Sequence, residues 1–261
     1  MGFLEQIEVR AAAAGGRVVL AEGHDPRVIE AAGDLASRGA CQVTVVCPND
    51  ARQATHDGLA TAGVEIVDPA SDRRRGELAA HLLQRRAGKG MTAEEAADAV
   101  DDPLYFASLL VATGHADASV GGAVRTTADT VRAALHCIGP GEGLRTVSSA
   151  FVMVHPDSTW GDKGVMVFAD CAVLPDPDPR QLAEIAISAA ATFRSIVGGE
   201  PRVALLSFSS RGSATHPLVD KVVAAKAELE DRKPGFSFDG ELQFDAALVP
   251  AVGASKAAGS E

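Results

Sequence analysis

A chain of 261 residues, 46% of them hydrophobic but only 4% aromatic, fits one large or two modest domains packed through small aliphatic side chains. Its formal net charge of −11 argues against general binding to nucleic acid or an anionic membrane surface, though not against a small anion held by local donors. No apolar run reaches the ~18 residues of a membrane-spanning helix, and the opening "MGFLEQIEVRAAAAGG" carries Glu5 and Glu8 and lacks the basic and apolar regions of a signal peptide, so a cytoplasmic location is expected.

In chain order, "RVVLAE" (17–22) reads as a buried strand. Asp25 suits an N-cap with Pro26 at the first helical position; Val28, Ala32, Leu35 and Ala36 make a helical stripe that Gly39 ends. "CQVTVVCP" and "GVEIVDP" read as the next strands, with Cys41 and Cys47 in or beside one of them. Apolar strands alternating with a helix imply a parallel sheet covered on both faces. A helix follows within "GELAAHLLQRRAGKG", ending in Arg85, Arg86 and Lys89, which suit the negative end of its dipole. Thr92 and Glu95 form a capping-box pattern. "DPLYFASLLVATG" is an apolar helix ending at Gly114, and "ADASVGGAVRTTADTVRAALHCIG" reads as strand, glycine turn and helix.

The composition shifts at "GPGEGLR" (139–145), the best linker candidate. Beyond it, "TVSSAFVMVHP", "GVMVFAD" and "RVALLSFS" are strand candidates; helices begin at Asp178–Pro179 and near Pro217. The four cysteines form no CxxC pair, which suits reduced, partly buried thiols. The seven histidines form no HxH or HxxxH cluster, so no metal site is expected.

Three junctions hold candidate chemistry. At "ASVGGAVRTTADTVRAAL", Gly121 and Gly122 permit a close turn, and Thr126, Thr127 and Asp129 can cap the next helix. Free N–H groups at that helix start, with Arg125 and Arg132 nearby, suit an anion; the alternative is an ordinary strand–helix turn with solvated arginines. At "SFSSRGSATHP", the hydroxyls of Ser207, Ser209, Ser210, Ser213 and Thr215, with Arg211 and Gly212, can cradle a phosphate. That loop reads equally as a polar turn rich in side-chain-to-backbone bonds. It has no Gly-Lys-Ser/Thr order, so triphosphate hydrolysis is not implied. At "FDGELQFDAALVP", Asp239, Glu241 and Asp245 include a helically spaced pair, Glu241 and Asp245, and offer either a general base or caps and arginine partners. His24 and His155 read as polar loop or strand-edge residues.

Taken together, "VVLAEGHDPRVIEAA", "DPLYFASLLVATGHADASVGGAVRTTADTVRAAL", "VMVFADCAV", "LAEIAISAAATFRS", "VALLSFSSRGSATHPLVDKV" and "DGELQFDAALVPAVGASKAAGSE", in this order, resemble the phosphate acetyl/butyryl transferase family. "DGELQFDAA" following "LSFSSRGSA" points to its phosphate acetyltransferase members. The resemblance implies two three-layer α/β domains with mostly parallel sheets, 1–143 and 144–261, and a cleft between them where coenzyme A and phosphate meet. It implies exchange of an acetyl group between coenzyme A (from acetyl-CoA) and phosphate (as acetyl phosphate), by direct attack in a ternary complex. It implies no tightly bound cofactor and no metal, and a homodimer. Arg132 matches the family's active-site arginine, and Arg86 an arginine linked to coenzyme A. The expected binding residues are Arg86, Gly122, Thr127, Ser209, Arg211, Gly212 and Ser213. Ala133 stands where the family commonly has proline, and Arg125 where histidine is common. The family pattern also continues past "GSE" into a segment that returns to the first domain and carries a Ser-Arg pair and an aspartate base; residues 1–261 without it are expected to be impaired. Alternative functions are phosphate butyryl transfer, or acetyl-CoA sensing like that of the related domain fused to malic enzymes.

Overall fold

The computed structural model describes residues 2–48, 59 and 62–259. Its contacts divide the chain into two units, Met1–Gly139 and Pro140–Glu261.

In the first unit, α1 (Phe3–Ala14) buries none of its residues. Strands β1 (Arg17–Leu20), β2 (Gln42–Val46), β3 (Glu65–Val67) and β4 (Ala118–Val120) form a wholly parallel sheet in the order β3-β2-β1-β4. Successive side chains of a strand point to opposite faces. Accordingly, Val19 joins a core cluster with Leu78, Leu82, Phe106 and Leu109, and its neighbour Leu20 joins another with Ala32, Val43 and Val45. The second cluster includes α2 (Pro26–Ser37); the first draws on α3 (Arg75–Arg86), α4 (Ala93–Ala99), α5 (Pro103–Ala112) and α6 (Thr127–Cys137). This gives the three layers that a parallel sheet of apolar strands requires.

In the second unit, β5 (Ala150–Val154) and β6 (Val165–Ala169) pair antiparallel, whereas β7 (Arg202–Leu206) and β8 (Ser237–Leu242) pair parallel. Trp160 lies between β5 and β6, with its ring 6.3 Å from that of His155. Helices α7 (Pro179–Ile196) and α8 (Pro217–Arg232) pack with β7 and β8 around Ala183, Ala186, Leu205, Val222, Ala225 and Leu229. Two short helices follow, α9 (Phe244–Leu248) and α10 (Pro250–Lys256).

Helix starts follow the sequence closely. Pro occupies the first position of α2, α5, α7 and α8. There its missing N–H would have had no intrahelical partner. Asp25, Asp102 and Asp178 cap three of these helices through their side chains. Thr92 and Glu95 form the capping box of α4: Glu95 N–H donates to Thr92 Oγ1 at 3.2 Å and Thr92 N–H to Glu95 Oε2 at 2.8 Å.

One expectation fails here. Glu241 and Asp245 do not share a helix face, because Glu241 belongs to strand β8 and Asp245 to the first turn of α9. The apolar residues around Glu241 pair with β7 instead of forming a helical stripe, and Asp245 bonds Lys256 at 2.8 Å. Among the described residues no helix is long and apolar enough to cross a membrane.

Candidate active site

In a parallel α/β sheet, ligands bind beyond the carboxyl ends of the strands, on the loops that lead into the helices. Each unit carries one such loop among the candidate residues.

In the first unit the loop runs from β4 to α6. Gly122 adopts φ +95°, a conformation that favours glycine. The N–H groups of this turn, which precede the helix start, are taken up within the fold. They converge on Glu22, which follows β1 and is 1% exposed. Gly122 and Ala123 donate to Glu22 Oε2 at 2.7 and 2.6 Å; Val124 and Arg125 donate to Oε1 at 3.1 and 2.8 Å. A buried carboxylate requires such donors. Burial pushes the Glu22 carboxyl up, and the four N–H bonds outweigh it, so its pKa lies below the ordinary 4.5.

Beyond this turn, Thr126 caps α6 by accepting from Asp129 N–H at 3.2 Å. Thr127 is the first residue of the helix and is exposed. Arg132 lies one turn further on, with its Nη1 donating to Asp129 Oδ1 at 2.7 Å and 55% of its side chain exposed. Arg125 pairs with Asp102 at 2.9 Å.

Arg86 ends α3. Its Nε is buried and has no hydrogen-bond partner among the described residues. Arg85 donates to the Ile138 carbonyl at 2.7 Å, satisfying the end of α6. Two residues passed over in the sequence lie in the field of Arg86 and Arg132: Tyr105 and His136, whose hydroxyl and Nδ1 are 2.7 Å apart. Burial and the two arginines hold the His136 pKa below its ordinary 6.5. Beside them, burial pushes the Cys137 thiol up to about 12.

In the second unit the loop joins β7 to α8 and centres on Glu241, which is 4% exposed. Gly212 N–H and Ser209 Oγ donate to Glu241 Oε1 at 2.6 and 2.9 Å, and Arg211 N–H donates to the Glu241 carbonyl at 3.2 Å. Ser209, expected among the ligand donors, is fully buried, and its hydroxyl also accepts from Ala214 N–H at 3.1 Å. Ser213 is exposed, and its Oγ accepts from Ser210 N–H at 3.0 Å. Arg211 is held to Asp239 at 2.5 Å, with Lys226 also 3.0 Å from that carboxylate. Burial pushes the Glu241 carboxyl up, but its donors and Arg211 hold it below the ordinary 4.5.

The structure therefore keeps Thr127, Arg132, Arg211, Gly212 and Ser213 at exposed positions, leaves Arg86 half-buried and encloses Ser209. Glu22 was overlooked; its signal is a lone acid closing an apolar strand, where only a set of internal donors makes burial tolerable.

The chain is similar to known proteins along its length. The chain is 45% identical over 254 residues to the phosphate acetyltransferase of Paracoccus denitrificans, covering 97% of this chain and 77% of that protein. It is 42% identical over 260 residues to the phosphate acetyltransferase of Acetivibrio thermocellus, covering 100% of this chain and 78% of that protein. A solved phosphotransacetylase from Streptococcus pyogenes superposes with a TM-score of 0.86 at 34% identity, over 99% of this chain and 77% of that one. Residues 2–261 match the phosphate acetyl/butaryl transferase description, and the chain belongs to that family.

Proposed function

We propose that the protein is an acyltransferase that moves an acetyl group reversibly between coenzyme A and inorganic phosphate: acetyl-CoA and phosphate give acetyl phosphate and coenzyme A. The observation that carries this reading is similarity to phosphate acetyltransferases along the whole chain, at 42–45% identity.

In the direction of thioester synthesis, the coenzyme A thiol loses its proton and the thiolate attacks the acetyl phosphate carbonyl carbon. The C=O electron pair moves onto oxygen. It returns as the C–O bond to phosphate breaks, and phosphate leaves with that bond's electrons and takes up the proton that the thiol gave to solvent. In reverse, a phosphate oxygen attacks the thioester and the thiolate leaves. Negative charge gathers on the carbonyl oxygen and the phosphate in both directions, so fixed cations and donors lower the barrier. Arg132 is the catalytic residue in this reading, with Thr127 beside it. Arg86, whose Nε has no acceptor among the described residues, serves coenzyme A. Arg211, Gly212 and Ser213 form the second donor group. Gly122 and Ser209 contribute by shaping their loops, since the Gly122 N–H and the Ser209 hydroxyl are engaged internally. The division into domains 1–143 and 144–261, a homodimer and a cytoplasmic location belong to the same reading.

The test is phosphate-dependent release of coenzyme A from acetyl-CoA, with butyryl-CoA in parallel. Faster turnover of acetyl-CoA supports the reading. Preference for butyryl-CoA, or release that ignores phosphate, refutes it.

A further inference from the structure

Both candidate loops are built the same way. In each unit a glutamate near the carboxyl end of one strand receives donors from the loop that follows the neighbouring parallel strand. Glu22 follows β1 and binds the loop after β4; Glu241 lies in β8 and binds the loop after β7. Neither glutamate presents its carboxylate to solvent, at 1% and 4% exposure. Each also has a glycine beside it where a side chain has no room. A Cβ on Gly23 would lie 2.8 Å from the Val46 carbonyl oxygen, and one on Gly240 would lie 2.9 Å from that of Leu205. The glutamate backbone is thereby pressed against the adjacent strand, and the carboxylate is fixed relative to the sheet.

We infer that Glu22 and Glu241 are positioning residues for acetyl transfer: each is an internal anion that locks a substrate loop into the form that presents its exposed side chains to the substrate's phosphate. This inference rests on the function proposed above. With the N–H groups of 122–125 turned onto Glu22, phosphate at the first loop is met by Thr127 and Arg132 rather than by the backbone. In the second loop, Glu241 fixes Gly212 by its N–H, and with it the approach of Arg211 and Ser213. A carboxylate suits the task because its two oxygens accept several N–H bonds at once and its charge complements the converging amide dipoles. A side-chain amide of the same shape keeps one acceptor oxygen and brings its own NH₂ donors against N–H groups.

Glu22→Gln and Glu241→Gln are made separately in the whole protein. Amide hydrogen exchange is read residue by residue, and steady-state kinetics are taken well below each variant's melting temperature. In the wild type, the amides of 122–125 and Gly212 exchange slowly although they lie in loops. In each variant the amides of its own loop exchange at least about tenfold faster, while those of the adjoining strands are unchanged. The KM for phosphate rises by about tenfold or more, the scale on which misplacement of a binding group acts. A purely structural role lowers the melting temperature and leaves KM unchanged. If either Gln variant does not fold, Glu→Asp at the same position, which keeps the charge, replaces it in the same two measurements.

Wild-type protein without phosphate-dependent acetyl transfer overturns the proposed function. Wild-type transfer with an unaltered phosphate KM in both variants overturns this inference alone. So does rapid exchange of the loop amides in the wild type.

Discussion

In the function proposed above, Arg132 is the residue on which phosphate recognition turns. Its guanidinium is half in water and shared with Asp129, so its loss costs less than that of a fully desolvated charged group. Arg132→Ala is expected to raise the phosphate KM about tenfold, near the lower end for a charged hydrogen bond. An unchanged phosphate KM removes Arg132 from the site. Acid stability is also set by individual residues. Glu22, Asp170, Glu184 and Glu241 are each pushed up by burial and pulled further down by their donors, so all four folded pKa values lie below the ordinary ones. The unfolded chain therefore takes up protons first as pH falls. The stability they contribute is complete above the ordinary carboxylate values, 4.5 for Glu and 3.8 for Asp, and is lost as pH drops through the folded values. His136, with its depressed pKa, adds a step of the same sign starting near 6.5. The melting temperature should fall slightly from pH 7 to 5 and steeply below about 4. A rise on acidification would contradict the buried carboxylate bonding.

Among the elements, α5 carries the most concentrated burial. Leu104, Phe106, Ala107, Leu109 and Leu110 are all buried along ten residues. Phe106 is fully enclosed, and Phe106→Ala should cost about 3–5 kcal/mol of stability, measured as a lowered denaturant midpoint at unchanged m-value. A loss under about 1 kcal/mol would mean that the site collapses around the cavity. Elements of this kind were legible in the sequence because local chemistry dictates them. Asp25–Pro26 and Asp178–Pro179 announce helix starts, and the run of 103–112 can only be a buried helix. β8 was less legible: "SFDGEL" places two carboxylates in a strand, against ordinary strand preference. Those carboxylates are met by Ser209, Arg211, Gly212 and Lys226, which lie elsewhere in the chain. The same holds for the first loop. Its glycines and threonines read as a candidate anion site, but that the occupant of the N–H nest is Glu22, a hundred residues upstream, depends on the pairing of β1 with β4.

At the scale of the whole molecule, residues 139–149 carry no helix or strand, and Glu142 is exposed. A glutamate-specific protease under native conditions should therefore cut first after Glu142. Persistence of the intact chain while cuts appear elsewhere would count against this stretch as the connection between units.

The distribution of chromophores lends the two-unit division a spectroscopic use. The chain has a single tryptophan and a single tyrosine. Trp160 belongs to Pro140–Glu261 and Tyr105 to Met1–Gly139. Indole and phenol emission are thus separate signals from the two halves of one polypeptide, without labelling. Denaturation followed at both tests whether unfolding is a single cooperative event, because a two-state transition must give one midpoint by every probe. If the midpoints separate, Phe106→Ala moves the tyrosine transition and leaves the tryptophan one in place; the emission colour that shifts then identifies which half a substitution disturbs.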